Sequence, residues 1–270
     1  MDIQNVASRI WFIPSQEVTE AQIMIPKIIH YCWFGRNPLP DSAVKCINSW
    51  RKFFPDYEIK EWNEDNFDVY CIPYTAEAYQ ACKYAFVSDY ARFWILYNYG
   101  GIYFDTDVEV IKPMDDIIAR GPFLGTEIMW EYPTVAPGLG MAIEAGHDIY
   151  KQALDRYAEI HFQYDGETVE HESIVPLTTR LLKEAGMKPS DEVQNVAGIW
   201  IYPCDYFNPL DDLTGKLKIT DNTRSIHWYA ASWRTPNPLM RWLKRTFHRL
   251  VGNRMHQIHR IKNSLLNMVK

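Results

Sequence analysis

The segment GGIYFDTDVEV, residues 100–110, decides how this chain is read. Ile102, Tyr103 and Phe104 are strand-like and run into two aspartates one residue apart, Asp105 and Asp107. The apolar pattern resumes at Val108, Val110 and Ile111. In an extended strand, residues two apart share a face, so a strand continuing through this stretch projects both carboxylates together. Adjacent buried carboxylates repel, and leaving them unpaired costs several kcal/mol. A divalent cation removes that cost. Hard oxygen ligands suit magnesium or manganese, with substrate phosphates completing the shell. The competing reading is a solvated turn at a strand end; the apolar residues that follow favour burial.

Upstream, SDYARFWILYNYGG places Asp89 and Arg92 three residues apart on one helix face. The bland account is a surface ion pair worth about 0–1 kcal/mol. Phe86, Val87, Tyr90, Phe93 and Trp94 surround the pair in sequence, which favours a partly buried face. An arginine fork there binds diphosphate oxygens bidentately, and Asp89 either holds that arginine or accepts sugar hydroxyls. The helix is expected from about Thr75 to Tyr99, stopped by Gly100-Gly101.

Working outward, Lys27 to Trp33 reads as a buried first strand, followed by a loop at Gly35, Pro38 and Pro40. Asp41-Ser42 is a capping signal for a helix to about Phe53, and YEIKEW alternates as a second strand. Helical spacing recurs near 147–161 and 173–186, and strands fit GIWIYP and SIHWYA. Strands alternating with helices indicate an α/β sheet. In such sheets ligands bind beyond the carboxyl ends of the strands, where the aspartate pair falls.

The 270 residues are 47% hydrophobic and 23% charged, a globular composition with room for a large core. The five cysteines, Cys32, Cys46, Cys71, Cys82 and Cys204, show no Cys-x-x-Cys spacing, so neither a zinc site nor a disulfide scaffold is indicated. With no signal-peptide pattern and no apolar run near the roughly 18 residues of a membrane span, the expected compartment is the cytoplasm. The net charge of −6 is uneven: residues 241–270 hold eight Lys or Arg and no acid. That leaves an acidic body carrying a basic amphipathic tail. The tail is either a docked, solvated helix or an interfacial helix on an anionic membrane leaflet, which would make the protein peripheral on the inner face. An acidic body without a recognition motif excludes nucleic acid as the expected partner.

Together, SDYARFWILYNYGGIYFDTDVEV, IPKIIHYCWFG at 25–35 and IHWYAASW at 226–233 resemble glycosyltransferase family 32, the DXD-containing capsular polysaccharide, α-1,6-mannosyl- and α-1,4-galactosyltransferases. The resemblance implies a single GT-A domain, a Rossmann-like nucleotide-sugar-binding α/β fold, over residues 24–237. An N-terminal extension (1–23) precedes it, with Met24 an alternative natural start, and a C-terminal helical appendage (238–270) follows. It implies metal-dependent, retaining transfer of a hexose from a UDP-sugar or GDP-sugar, uridine preferred, to a glycan or lipid-linked acceptor hydroxyl.

By the same likeness, Asp107 is a direct metal ligand and Asp105 touches the metal or the ribose. Asp89 and Arg92 contact the donor sugar and diphosphate. His30, Tyr31 and Trp33 lie near the base. His227 is a third ligand for Mn2+ (or Mg2+) or a phosphate contact. Ser232 and Trp233 cap the diphosphate, with the Trp233 indole N–H stabilising the leaving group. EIMWEYPTVAPGLGM, 127–141, is expected in the sugar and acceptor pocket, and His171 and Glu172 in a helix-capping turn. Glu109 has no assigned role. The alternatives are a haloacid-dehalogenase-type phosphatase, with the first aspartate as nucleophile, and a non-catalytic sugar-binding module.

Overall fold

The computed structural model describes residues 25–129, 132–163 and 173–230, together with Thr246. The expectations for the extension 1–23, Met24, His171, Glu172, Ser232, Trp233 and the basic helix 238–270 lie outside the described residues.

The strands are β1 (Ile28–Cys32), β2 (Glu58–Trp62), β3 (Gly101–Tyr103), β4 (Val108–Val110), β5 (Phe123–Met129), β6 (Tyr132–Val135), β7 (Met141–Ile143), β8 (Gln194–Val196), β9 (Ile199–Tyr202), β10 (Leu210–Asp211), β11 (Lys216–Leu217) and β12 (Ser225–His227). The helices are α1 (Asp41–Phe53), α2 (Pro73–Gln80), α3 (Tyr84–Tyr99), α4 (Asp115–Ile118), α5 (Asp148–Ala158), α6 (Ile174–Glu184) and α7 (Cys204–Phe207).

One central sheet runs β2-β1-β3-β7-β5-β9-β8, with β6 paired to β5. β1 is parallel to both β2 and β3. β7 runs against β3 and β5, and β9 is parallel to β5. Thus β1, β2, β3, β5 and β9 all point their carboxyl ends the same way. This is the mixed α/β sheet expected.

The strand period distributes the core to both faces. On β1, Ile29 and Tyr31 join a cluster with Trp50, Phe104, Phe123 and Phe207, whereas Cys32 joins the cluster of Trp62, Tyr74, Phe93 and Tyr150. β3 repeats the pattern, with Ile102 on the first side and Tyr103 on the second. A fully buried phenylalanine such as Phe104 contributes on the order of 2 kcal/mol.

Two expectations are corrected. The helix expected over 75–99 is two helices, because Cys82 adopts a left-handed φ of 55° between α2 and α3. The stop at Gly100 stands: it takes φ 63°, and its N–H closes on the Leu96 carbonyl at 2.9 Å. The strand expected to continue through 105–107 ends at Tyr103, and the next begins at Val108. β4 leaves the central sheet and pairs antiparallel with β12. Helix α1 supports this detached strand: Trp50 Nε1 donates to the Val108 carbonyl at 2.8 Å, and the Val110 N–H donates to Ser49 Oγ at 2.9 Å.

Candidate active site

Asp105 and Asp107 occupy the turn between β3 and β4, at the carboxyl end of the sheet. They are not brought together by strand period. Each is held separately.

Asp105 is held from the sheet side. Arg92 Nη2 lies 3.2 Å from its Oδ1, and Nη1 donates to Oδ2 at 3.3 Å, the two-pronged geometry of an arginine–carboxylate pair. The Tyr103 hydroxyl donates to Oδ1 at 3.2 Å. The Asp105 N–H reaches the Gly138 carbonyl at 3.3 Å, and a Cβ at Gly138 would collide with the Asp105 carboxylate. Gly138 sits in a short 3-10 turn, Pro137–Leu139.

Arg92 also pairs with Asp89 at 3.0 Å and donates Nε to the Ser88 carbonyl at 3.1 Å. Its guanidinium, buried in α3, lies 4.9 Å from the Tyr103 ring centroid. Burial alone would lower its pKa; Asp105, Tyr103 and Asp89 outweigh that and raise it. Burial pushes the Asp89 carboxyl up to about 7, with Arg92 pulling it back and Asp105 adding to the rise. The expected diphosphate fork is therefore occupied, and Arg92 is the clamp that orients Asp105 and Asp89.

Asp107 is held from the opposite side, by residues 120 and more positions away. The β12–β4 register sets His227 opposite Val108, beside Asp107. His227 Nε2 lies 3.1 Å from Asp107 Oδ1, the Ala230 N–H donates to Oδ2 at 2.7 Å, and the Trp228 N–H donates to the Asp107 carbonyl at 3.0 Å. Burial would lower the His227 imidazole, but the Asp107 carboxylate outweighs it and holds it above its ordinary value. Burial would raise Asp107, but His227 and the Ala230 N–H hold it low.

Among the described residues, Asp105, Asp107 and His227 each offer a ligand atom, all within 4.8 Å of one another. His227 Nδ1 is buried without a hydrogen-bond partner. Two carboxylates and an imidazole with an orphaned ring nitrogen fit a divalent cation.

The remaining expected residues are dispersed. His30 is a core residue: Trp62 Nε1 donates to its Nδ1 at 3.0 Å, and its Nε2 lies 3.0 Å from the Gly100 carbonyl. Burial depresses its pKa to about 4, and both nitrogens are spent, which leaves none for a nucleotide. Tyr31 is packed edge-on to Trp50, with its hydroxyl donating to Glu61 at 2.7 Å. Trp33 is half-buried just past β1, with its indole N–H on the Asn37 carbonyl at 2.7 Å.

Glu109 acquires a structural role. It accepts from Lys45 Nζ at 2.9 Å and Trp228 Nε1 at 2.8 Å, tying α1 to the segment after β12. Sequence reasoning placed Glu127 and Gly138 in the pocket segment and Tyr229 in the closing motif without giving any of the three a role of its own. Glu127 lies on β5, and its Oε2 accepts from the Tyr229 hydroxyl at 3.2 Å. The Tyr229 and His227 rings are 4.2 Å apart. No local signal in EIMWEYPTVAPGLGM marks these contacts, which join distant parts of the chain.

Residues 40–124 match a family model described as the glycosyltransferase sugar-binding region containing a DXD motif. The match includes Asp89, Arg92, Asp105 and Asp107 and ends before His227. The chain is 30% identical over 111 residues to inositol phosphoceramide mannosyltransferase 1 of Schizosaccharomyces pombe, covering 37% of this chain and 33% of that one. It is 29% identical over 147 residues to inositol phosphoceramide mannosyltransferase 3 of the same yeast, covering 52% and 39%. The chain thus spans between a third and two fifths of the length of these curated relatives. Among solved structures, the PaToxG glycosyltransferase superposes with a TM-score of 0.46 at 19% identity, covering 59% of this chain and 69% of that one.

Proposed function

We propose that this protein is a metal-dependent glycosyltransferase that moves a hexose from a nucleotide-sugar to an acceptor hydroxyl with retention of configuration. The observation that carries the reading is the convergence of Asp105, Asp107 and His227 within 4.8 Å at the carboxyl end of the sheet.

These three residues would hold a divalent cation, whose contribution is to neutralise the charge of a leaving diphosphate. Arg92 acts through Asp105, fixing both carboxylate oxygens before substrate arrives, so no reorganisation is needed during reaction. Asp89 is partly buried beside the same guanidinium and supplies a hydrogen-bonding carboxyl for sugar hydroxyls. Trp33, just past β1, is the aromatic side chain retained for the base; His30 is not. Ser232 and Trp233 follow Ala230 in sequence and remain the proposed diphosphate cap. No carboxylate is assigned as a covalent nucleophile, so front-face attack fits best, with the protein supplying position and charge.

The relatives' names favour mannose as the sugar and a lipid-linked hydroxyl as the acceptor. Among the described residues no helix is long and apolar enough to cross a membrane. The basic segment 241–270 is proposed to bring the enzyme to a lipid acceptor on an anionic surface. Flotation with phosphatidylserine vesicles tests that: a chain ending near residue 238 should lose binding. The central test is a screen of UDP- and GDP-sugars, with and without Mn2+, for thermal stabilisation and slow donor hydrolysis. A manganese-dependent response to one donor supports the reading; a response independent of metal for every donor overturns it.

A further inference from the structure

We infer that Glu127 is a positioning residue that acts through the Tyr229 phenol to fix the turn bracketing Asp107; the inference rests on the proposed role of Asp107. Strand alternation on β5 buries Thr126, whose hydroxyl reaches the Tyr202 carbonyl at 3.2 Å, and turns Glu127 to the other face. There Glu127 Oε2 accepts from the Tyr229 hydroxyl at 3.2 Å, while Asn208 Nδ2 donates to the same oxygen of Tyr229 at 2.7 Å. The phenol is thus both donor and acceptor, anchored by β5 on one side and the end of α7 on the other.

The anchor matters because of the backbone it holds. Tyr229 has φ 52°, a left-handed conformation that side-chain-bearing residues seldom adopt. Such a residue persists where its surroundings over-determine it. The reversal at Tyr229 lets both its neighbours reach Asp107. The Trp228 N–H meets the Asp107 carbonyl at 3.0 Å, and the Ala230 N–H meets Oδ2 at 2.7 Å. The phenol also lies against the His227 ring, with centroids 4.2 Å apart. Releasing Tyr229 therefore frees the amide that orients one oxygen of Asp107 and the ring that packs beside its other partner. A hydrogen-bond acceptor at position 127 is what the role requires, so glutamine should serve and alanine should not.

The test is amide exchange of Ala230 by NMR in metal-free, alanine-labelled protein. Glu127→Ala and Tyr229→Phe should each accelerate exchange about tenfold, and Glu127→Gln should stay within about twofold of the parent. The double variant Glu127→Ala/Tyr229→Phe should be no faster than the faster single, as for two residues on one path. The same two single variants should raise the Mn2+ concentration at half-maximal thermal stabilisation by about tenfold. Unchanged exchange in both single variants overturns the inference, as does Glu127→Gln exchanging as fast as Glu127→Ala. Asp107→Asn with a full manganese response defeats the metal reading alone; the metal-free exchange rates still decide the role of Glu127.

Discussion

The two aspartates of the DXD motif are two residues apart, yet they belong to different halves of the molecule. Asp105 is clamped by Arg92, only 13 residues upstream, through a guanidinium buried in α3. Asp107 is clamped by His227 and Ala230, the latter 123 residues downstream, on a two-stranded ladder outside the main sheet. The first half is an ion-pair cluster built on α3 and the main sheet; the second is a separate ladder packed on α1. One short motif thus joins two carboxylates held by separate means, and if the proposed roles hold, substitutions on the two sides should separate stability from chemistry.

The sharpest separation is Asp107→Asn. It removes charge without changing shape, and transfer should fall by at least about a hundredfold while the thermal midpoint stays near the parent's; full activity breaks the comparison. Arg92→Ala should do the reverse in kind, leaving Asp89 and Asp105 without their shared cation and costing about 3–5 kcal/mol in chemical denaturation. If Asp107→Asn proves the more destabilising of the two, the assignment of halves is reversed.

The two histidines sharpen the same contrast. His30, with its folded pKa near 4 against an ordinary 6.5, lets the unfolded chain take up a proton first as pH falls. Its contribution is therefore complete above pH 6.5 and is lost as pH drops towards 4, amounting to about 3 kcal/mol. An NMR titration placing the His30 ring at or above 6.5 would remove it. Gly138→Ala should cost only about 1–3 kcal/mol of stability from overpacking, but it displaces the Asp105 carboxylate and should reduce turnover out of proportion. Unaltered turnover would show that the Asp105 half tolerates movement.

The Arg92 half was legible in the sequence because it is local. Helix spacing joined Asp89 to Arg92, and Gly100-Gly101 marked where the helix stops. The α/β sheet was readable from alternating patterns at 27–33, 57–62 and 198–203. What escaped was tertiary. The turn at 104–107 breaks the strand that periodicity extended through it, and the break is set by β4 pairing with β12. Arg92 reads as a phosphate fork until its burial between two carboxylates is seen. His30 and His227 look alike as lone histidines near apolar residues; only the Trp62 indole and the Asp107 carboxylate tell them apart. Glu127, Gly138 and Tyr229 carried no pattern because their partners lie far away in the chain.

The β4–β12 ladder also dates the parts of the site during synthesis. A chain emerging from the ribosome as far as β7 already contains Asp89, Arg92, Tyr103, Asp105 and Gly138, every group of the inner clamp. His227 and Ala230 emerge more than eighty residues later than β7, and closing a contact of such sequence separation is among the slower events in folding. Asp107 therefore waits beside the earlier-made clamp until β12, the last strand among the described residues, brings its two partners.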